Sequence, residues 1–237
     1  KSNGDLPKKC NELGIKILWK STITYTKGFK KLNQVHVMRL SKDNGSVINK
    51  KIKINCDLLC ISGGYTPTVH LFTQSGGKLT YNNEKYIFHP KISLLDQISV
   101  GSCNGTFNLK CIIDETQTQT KEFLNTNDVE KINVIESKGK NFENIWLLPS
   151  DKISGKTKSF VDFQNDSTAN DIKLALREGF KSIEHVKRYT TTGMATDQGK
   201  IGNMHALGIV SEITNTKLGE LGTTTFRPPY TPLTFGA

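Results

Sequence analysis

The chain has 237 residues, 35% of them hydrophobic, and carries 32 Lys and Arg against 22 Asp and Glu for a net charge of +10. That length supports one or two domains with cores of their own. No apolar run approaches the ~20 residues that a membrane-spanning helix needs, and the N-terminus has no signal-peptide pattern. The lysines are scattered from end to end without an Arg-rich stripe or interleaved aromatics, so no dedicated nucleic-acid role is expected.

Lys8 to Leu13 reads as the end of a helix, and the stretch from Gly14 to Ile61 is β-rich. Gly14 to Trp19, Ile23 to Tyr25, Gln34 to Leu40 and Ile48 to Ile54 have strand character, the last three with the alternation of half-buried strands. Lys42-Asp43-Asn44-Gly45-Ser46 supplies a hairpin turn with Asn-Gly at its tip. Cys56 to Ile61 then reads as a short, continuously apolar strand opening into Ser62-Gly63-Gly64, where a ligand could approach. Ile98-Ser99-Val100 followed by Gly101-Ser102-Cys103-Asn104-Gly105 repeats that design ahead of a helix through Leu109, Ile112 and Ile113. Small residues after a strand let a phosphate or ribose come close, although a tight structural turn explains the same spacing. On this pattern Gly63, Gly64, Gly101, Ser102, Cys103, Phe107 and Leu109 are the candidate dinucleotide-binding residues, and the loops 62–65 and 101–105 are predicted to face one pocket.

The five cysteines, Cys10, Cys56, Cys60, Cys103 and Cys111, are odd in number and uneven in spacing, which is no disulfide framework. Cys56 and Cys60 are expected to be buried thiols, since a C-x₃-C pair without a second ligand pair makes no zinc site. This usage fits the cytoplasm. Residues 121–158 are rich in Lys, Asn and Thr, and read as a linker that docks through Trp146 in Ile145-Trp146-Leu147-Leu148-Pro149.

From residue 159 the character changes. Phe160-Val161-Asp162-Phe163-Gln164-Asn165-Asp166 precedes Thr168-Ala169-Asn170-Asp171, which is close to a capping box, with Asp162 and Asp166 expected to position the helix start. Ile172, Leu174, Ala175 and Leu176 continue the helix and Gly179 stops it. Ser182 caps a second helix with Ile183, Val186 and Tyr189 predicted on its buried face and Lys187 off it. A third helix starts near Asn203, with Met204, Leu207, Val210 and Ile213 recurring. Between the last two helices lies Lys187-Arg188-Tyr189-Thr190-Thr191-Thr192-Gly193-Met194-Ala195-Thr196-Asp197-Gln198-Gly199-Lys200. Cations, hydroxyls and glycines are concentrated here, and free amides at a helix N-terminus favour an anion. Lys187, Arg188 and Lys200 are predicted to converge on one anionic group. On spacing alone, a helix–turn–helix packing unit with a solvated basic turn is the favoured reading. No Ser-His-Asp order, H-E-x-x-H motif or paired carboxylates stand out, so no catalytic residue is assigned. His70 and His185 are expected to be structural hydrogen-bonding or interface residues. Gly219 to Ala237, with Pro228, Pro229 and Pro232, predicts an extended connector.

These motifs resemble the alpha subunit of heterotetrameric sarcosine oxidase. The resemblance rests on the VDFQ-D and KRYTTTGMATDQGK runs, on Thr223 to Pro232, and more moderately on Ser62 to Lys78. It implies an α/β fold, the C-terminal part of a two-dinucleotide-binding flavoprotein followed by a small, mainly helical domain. The implied boundaries are 1–120 for the dinucleotide-binding portion, 121–158 for the linker, 159–218 for the helical domain and 219–237 for a connector into a folate-binding, aminomethyltransferase-like domain. The chain then reads as a piece of a longer protein whose first Gly-x-Gly-x-x-Gly fingerprint lies upstream. The implied complex oxidatively demethylates sarcosine to glycine, passes the one-carbon unit to tetrahydrofolate and reduces oxygen to hydrogen peroxide. NAD would be bound by this subunit, FMN at the contact with the beta subunit, FAD within the beta subunit and tetrahydrofolate downstream. The gamma and delta subunits complete the set of partners. Lys187, Arg188, Thr190, Thr191, Gln198, Gly199 and Lys200 are thereby implied as FMN-phosphate or interface residues. Related flavoprotein dehydrogenases carry an iron–sulfur module of similar layout, but no thiol occurs here after Cys111, so a thiolate-held cluster is not expected. Two alternatives remain at this point: a non-catalytic assembly module with a vestigial pocket, and a subunit of a related amino-acid dehydrogenase.

Overall fold

The computed structural model describes residues 5–128, 132–134, 144–149, 158–228 and 230–236. They divide into two compact units, one from Lys1–Ser62 and Leu147–Thr157, the other from Gly63–Trp146 and Lys158–Ala237. Much of the predicted linker lies outside the described residues. Among those described, no helix is long and apolar enough to cross a membrane.

The first unit holds helix α1 (Asp5–Glu12) and an antiparallel meander of β1 (Ser21–Gly28), β2 (Leu32–Leu40) and β3 (Val47–Asn55), in the order β1-β2-β3. Three of the predicted strands are therefore present, and the Asn-Gly turn joins Leu40 to Val47 across one register pair, with Asn44 at φ 60°. Val35, Val37 and Leu40 on the central strand are buried. His36 is buried between them, with its ring 4.9 Å from that of Tyr25. Gly14 to Trp19 forms no strand.

Cys56 to Ile61 is not a strand either: Leu58 is 73% and Ile61 82% exposed. A buried strand exists only through neighbours that take its amides and carbonyls. Among the described residues, no sheet includes this segment. The expected buried thiols fail for the same reason, since Cys60 is exposed and Cys56 only partly covered. Ile98-Ser99-Val100 likewise stays irregular.

In the second unit a short helix α2 (His70–Gln74) leads into a hairpin of β4 (Lys78–Asn82) and β5 (Ile87–Ile92), which the sequence reading had not placed. Its tip is an Asx turn in which the Asn82 side chain accepts the amides of Glu84 and Lys85. A 3₁₀ turn at Gly101–Asn104 precedes α3 (Leu109–Leu124), whose N-cap is Asn108.

The helical part contains the tightest core. A two-strand ribbon, β6 (Phe160–Asp162) and β7 (Ser167–Thr168), runs into α4 (Ala169–Arg177), followed by α5 (Ile183–Thr190), α6 (Asn203–Thr214) and α7 (Leu218–Leu221). Thr168 and Asp171 form the predicted capping box on α4, and Gly179 at φ 96° ends it. Ile172, Val186, Leu207, Ile209 and Val210 are the largest fully buried side chains, each worth about 1.5–3 kcal/mol of burial. Trp146 docks as predicted, and the reason lies on α6. A methyl group at Gly208 would come within 2.0 Å of the indole, so only glycine leaves room for the ring.

Two predicted helix faces are rotated. On α5 the buried stripe is Ile183, Val186, Lys187 and Thr190, an i, i+3, i+4, i+7 set. Tyr189 is instead 45% exposed, its ring 4.9 Å from that of Phe180. On α6 the centre is buried from Ala206 to Val210, while Ile213 is 46% exposed.

Candidate functional site

The two motifs that dominated the sequence reading are bonded to each other. Asp162 is 5% exposed, and its carboxylate holds both runs. Oδ1 accepts the amides of Gln164 and Asn165 at 2.9 and 3.0 Å, and Oδ2 accepts the amide of Gly193 at 2.7 Å. The neighbouring side chains add to this clamp. Asn165 Nδ2 donates to the carbonyl of Thr191, Ser167 Oγ to that of Thr190, and the amide of Asp197 to Gln164 Oε1. Asp162 thus pins the loop between α5 and α6 instead of capping α4, where Thr168 takes that role. Asp166, at φ 53°, occupies the turn between β6 and β7.

The glycines of this loop serve packing. A Cβ at Gly193 or Gly199 would sit 2.2 or 2.1 Å from Asn203 Oδ1, and both residues have positive φ. Nor are the loop amides free, as had been predicted. Gly199 N–H donates to Asp197 Oδ1, Lys200 N–H to the Asp197 carbonyl and Asn203 N–H to the Gly199 carbonyl. The hydroxyls turn inward as well: Thr190 donates to the Val186 carbonyl and Thr191 to that of Thr190, while the Gln198 amide donates to the Ala195 carbonyl. A loop of this sequence satisfies itself because Asp, Asn and Thr bond so readily to nearby backbone.

What remains for a partner is cationic. The Lys187 side chain is buried and donates to the Thr225 carbonyl at 3.1 Å, while Thr225 N–H meets Glu184 Oε1 at 2.6 Å. Burial, helped by Arg227 and Arg188 and opposed by Glu184, pulls the Lys187 ammonium below the ordinary lysine range. Lys200 donates to the Tyr230 carbonyl and lies 4.2 Å from the centre of the Tyr230 ring. Among the described residues, no carboxylate lies within 4.0 Å of either ammonium. Arg188 is exposed. Lys187 and Lys200 therefore engage one stretch of chain, a strap described at residues 223–228 and Tyr230, which Asn203 also holds through Thr224 Oγ1 at 3.0 Å.

Under the strap lies a cavity of about 40 Å³ whose lining includes Thr66, His70, Lys200, Asn203 and Phe226. His70 is 6% exposed, with its ring centroid 4.0 Å from that of Phe226 and 5.9 Å from that of Tyr230. Neither ring nitrogen has a hydrogen-bond partner, contrary to the expected structural bonding. Burial, with the Lys200 charge adding and Asp197 opposing, holds its pKa down to about 4. His185 is exposed.

Two contacts join the segments that carry the predicted dinucleotide residues. The Tyr65 and Phe107 rings are 6.1 Å apart, and Pro67 lies against Gly105. Gly63 and Gly64 face open space, Ser102 and Cys103 are exposed, and Phe107 and Leu109 are 38% and 60% exposed. Gly101 differs from them. It is buried at φ 65°, its amide donates to Glu115 Oε2 at 3.1 Å, and an added Cβ would meet Ile112 at 3.1 Å. Its glycine is required by the turn itself, and a Gly101→Val change would strain the fold.

The sequence reading missed Asp162 as a clamp, Asn203 as the seat for two glycines, and the aromatic strap over His70. The Asp-x-Gln-Asn spacing signals an Asx turn. The strap contacts have no local signal, because 30 residues separate Lys200 from Tyr230.

Comparison with known proteins agrees with this layout. Residues 156–237 match the sarcosine oxidase A3 domain. The sarcosine oxidase subunit alpha of Rhizobium meliloti is 38% identical over 190 residues, covering 78% of this chain and 19% of the relative. That of Corynebacterium sp. strain P-1 is 30% identical over 234 residues, covering 94% of this chain and 24% of the relative. The chain thus spans about a quarter or less of the length of these curated relatives. Among solved structures, L-proline dehydrogenase from P. horikoshii superposes with a TM-score of 0.64 at 18% identity, covering 98% of this chain and 47% of that one. The fold class is the expected one: mixed α/β, the C-terminal part of a two-dinucleotide-binding flavoprotein fold followed by a small helical domain.

Proposed function

Because the chain belongs to the family of sarcosine oxidase alpha subunits, we propose that it forms part of the non-amine-oxidising scaffold of such an oxidoreductase. In this reading the complex demethylates sarcosine to glycine, with tetrahydrofolate as one-carbon acceptor and oxygen reduced to hydrogen peroxide. FAD belongs to the beta subunit, and the gamma and delta subunits complete a cytoplasmic heterotetramer. This chain would contribute NAD binding at the paired loops 63–65 and 101–109, and the FMN contact with the beta subunit at the basic loop.

The observation that carries the reading is the buried Lys187 beside Arg188 and Arg227, with Lys200 on the same strap and no carboxylate on either ammonium. A buried cation without an acidic partner is costly, and a flavin phosphate is a partner of the right sign. The residues fit that group through Lys187, Arg188 and Lys200 as point charges, since the loop amides and the Thr190 and Thr191 hydroxyls are already engaged. FMN, when bound, would supply electron transfer. The chain's part is to hold the phosphate with these cations and to keep the loop rigid through Asp162. For NAD, the uncovered Gly63 and Gly64 and the exposed Ser102 and Cys103 leave room for close approach.

In the assembled enzyme Lys200→Ala should lower FMN content and leave FAD unchanged. Equal loss of both flavins, or of neither, would count against the assignment. A second reading, a non-catalytic assembly module, is favoured by one observation: the loop between α5 and α6 is internally satisfied. Flavin absorbance of the co-expressed complex, set against this chain by itself, separates the two.

A further inference from the structure

The cavity beneath the strap holds an imidazole with nothing bonded to it. His70 is more than nine-tenths buried, lines the cavity, and has no partner on Nδ1 or Nε2. Buried polar atoms in native proteins nearly always find a partner, and an exception needs a cause. Across the same space lies Lys200, whose ammonium has three donors, of which the Tyr230 carbonyl takes one. The other walls are largely apolar: Pro67, Val69, Phe88, Leu207 and Phe226.

We propose that this cavity is a binding site for a small monocarboxylate, seated between the His70 imidazole and the Lys200 ammonium, with Phe226 as its roof. Three features select that ligand class. A neutral imidazole N–H and an ammonium N–H are two donors, which match the two oxygens of one carboxylate. The apolar part of the walls accepts a hydrogen or a methyl group, and beside Thr66, Asn203, Thr223 and Thr224 the lining holds no further charged side chain. A cavity of about 40 Å³ has room for an ion as small as formate or acetate. The anion would also offset the Lys200 charge, which otherwise faces His70 with only Asp197 opposing it. This site shares Lys200 with the flavin assignment but does not rest on it, because its test needs neither flavin nor partner subunit.

The experiment follows the His70 ring nitrogens by NMR in the ¹⁵N-labelled chain, titrated with acetate, formate, chloride and uncharged acetamide. Acetate and formate should move the His70 signals saturably and raise its titration midpoint from about 4 by about one pH unit, the effect of an opposite charge nearby. Chloride should do so weakly and acetamide not at all. Lys200→Met should abolish the response and Lys200→Arg retain it. A chloride response equal to that of acetate overturns the carboxylate assignment. No response to any of them means that the cavity holds only water, and the proposal fails. Both outcomes are read on the wild-type chain, so they stand even if Lys200→Met does not fold.

Discussion

The loop between α5 and α6 and the apolar segment 56–61 were both predicted from strong local patterns, yet only the first is closed on itself. In the loop, Asp162, Gln164, Asn165 and Ser167 reach 23 to 33 residues along the chain and satisfy one backbone group after another. In the segment, Leu58 and Ile61 stand exposed, and no sheet among the described residues takes their backbone. Side-chain-to-backbone bonds can complete a loop from within its own unit. A central strand cannot be completed without neighbours on both sides. That difference is open to experiment.

The largest effect should come from Asp162→Ala, which leaves three amides without their buried acceptor and should cost about 3–5 kcal/mol in urea unfolding. A cost near zero would mean that the loop is not closed as described. Gly199→Ala should follow at about 2–4 kcal/mol, because the residue has positive φ and its new methyl group would strike Asn203. The same change at Gly63, which faces open space, should cost under about 1 kcal/mol by the same measurement. Equal costs at the two glycines would erase the contrast.

The strap should respond to pH. The folded pKa of His70, about 4, lies below the ordinary 6.5, so the neutral ring is favoured by folding. The stability it contributes is complete above pH 6.5 and is lost as pH falls from there toward 4. His70→Phe should flatten that limb of the stability profile, and an unchanged limb would assign it to other groups.

Lys187→Met gives a smaller effect of opposite sign. Removing a buried cation that hydrogen-bonds to a carbonyl, with Glu184 attracting it without a direct ion pair, should stabilise the chain by about 1 kcal/mol, while lowering FMN content in the assembled enzyme. Loss of stability together with retained FMN would sink the phosphate role. Smallest of all, Cys60→Ser should leave stability unchanged within about 0.5 kcal/mol and remove a thiol that reacts rapidly with an aromatic disulfide reagent. Slow labelling would show Cys60 to be covered after all.

Much of this protein was legible in its residues. The hairpin at Asn44-Gly45, the capping box at Thr168 and Asp171, the helix starts after Ser182 and at Asn203 and the stop at Gly179 follow from short-range chemistry and are present, although the Ser182 side chain makes no cap bond. Which face of α5 is buried was not legible, because a lysine at the i+4 position of the buried stripe reads as polar until a carbonyl 38 residues away receives it. The same holds for Asp162, for His70 and for the strap. Capping, turn and periodicity signals act over three or four residues, and the chain carries them openly. Whether a charged or polar group is buried, and what it meets there, depends on segments tens of residues apart, so only the tertiary structure decided it.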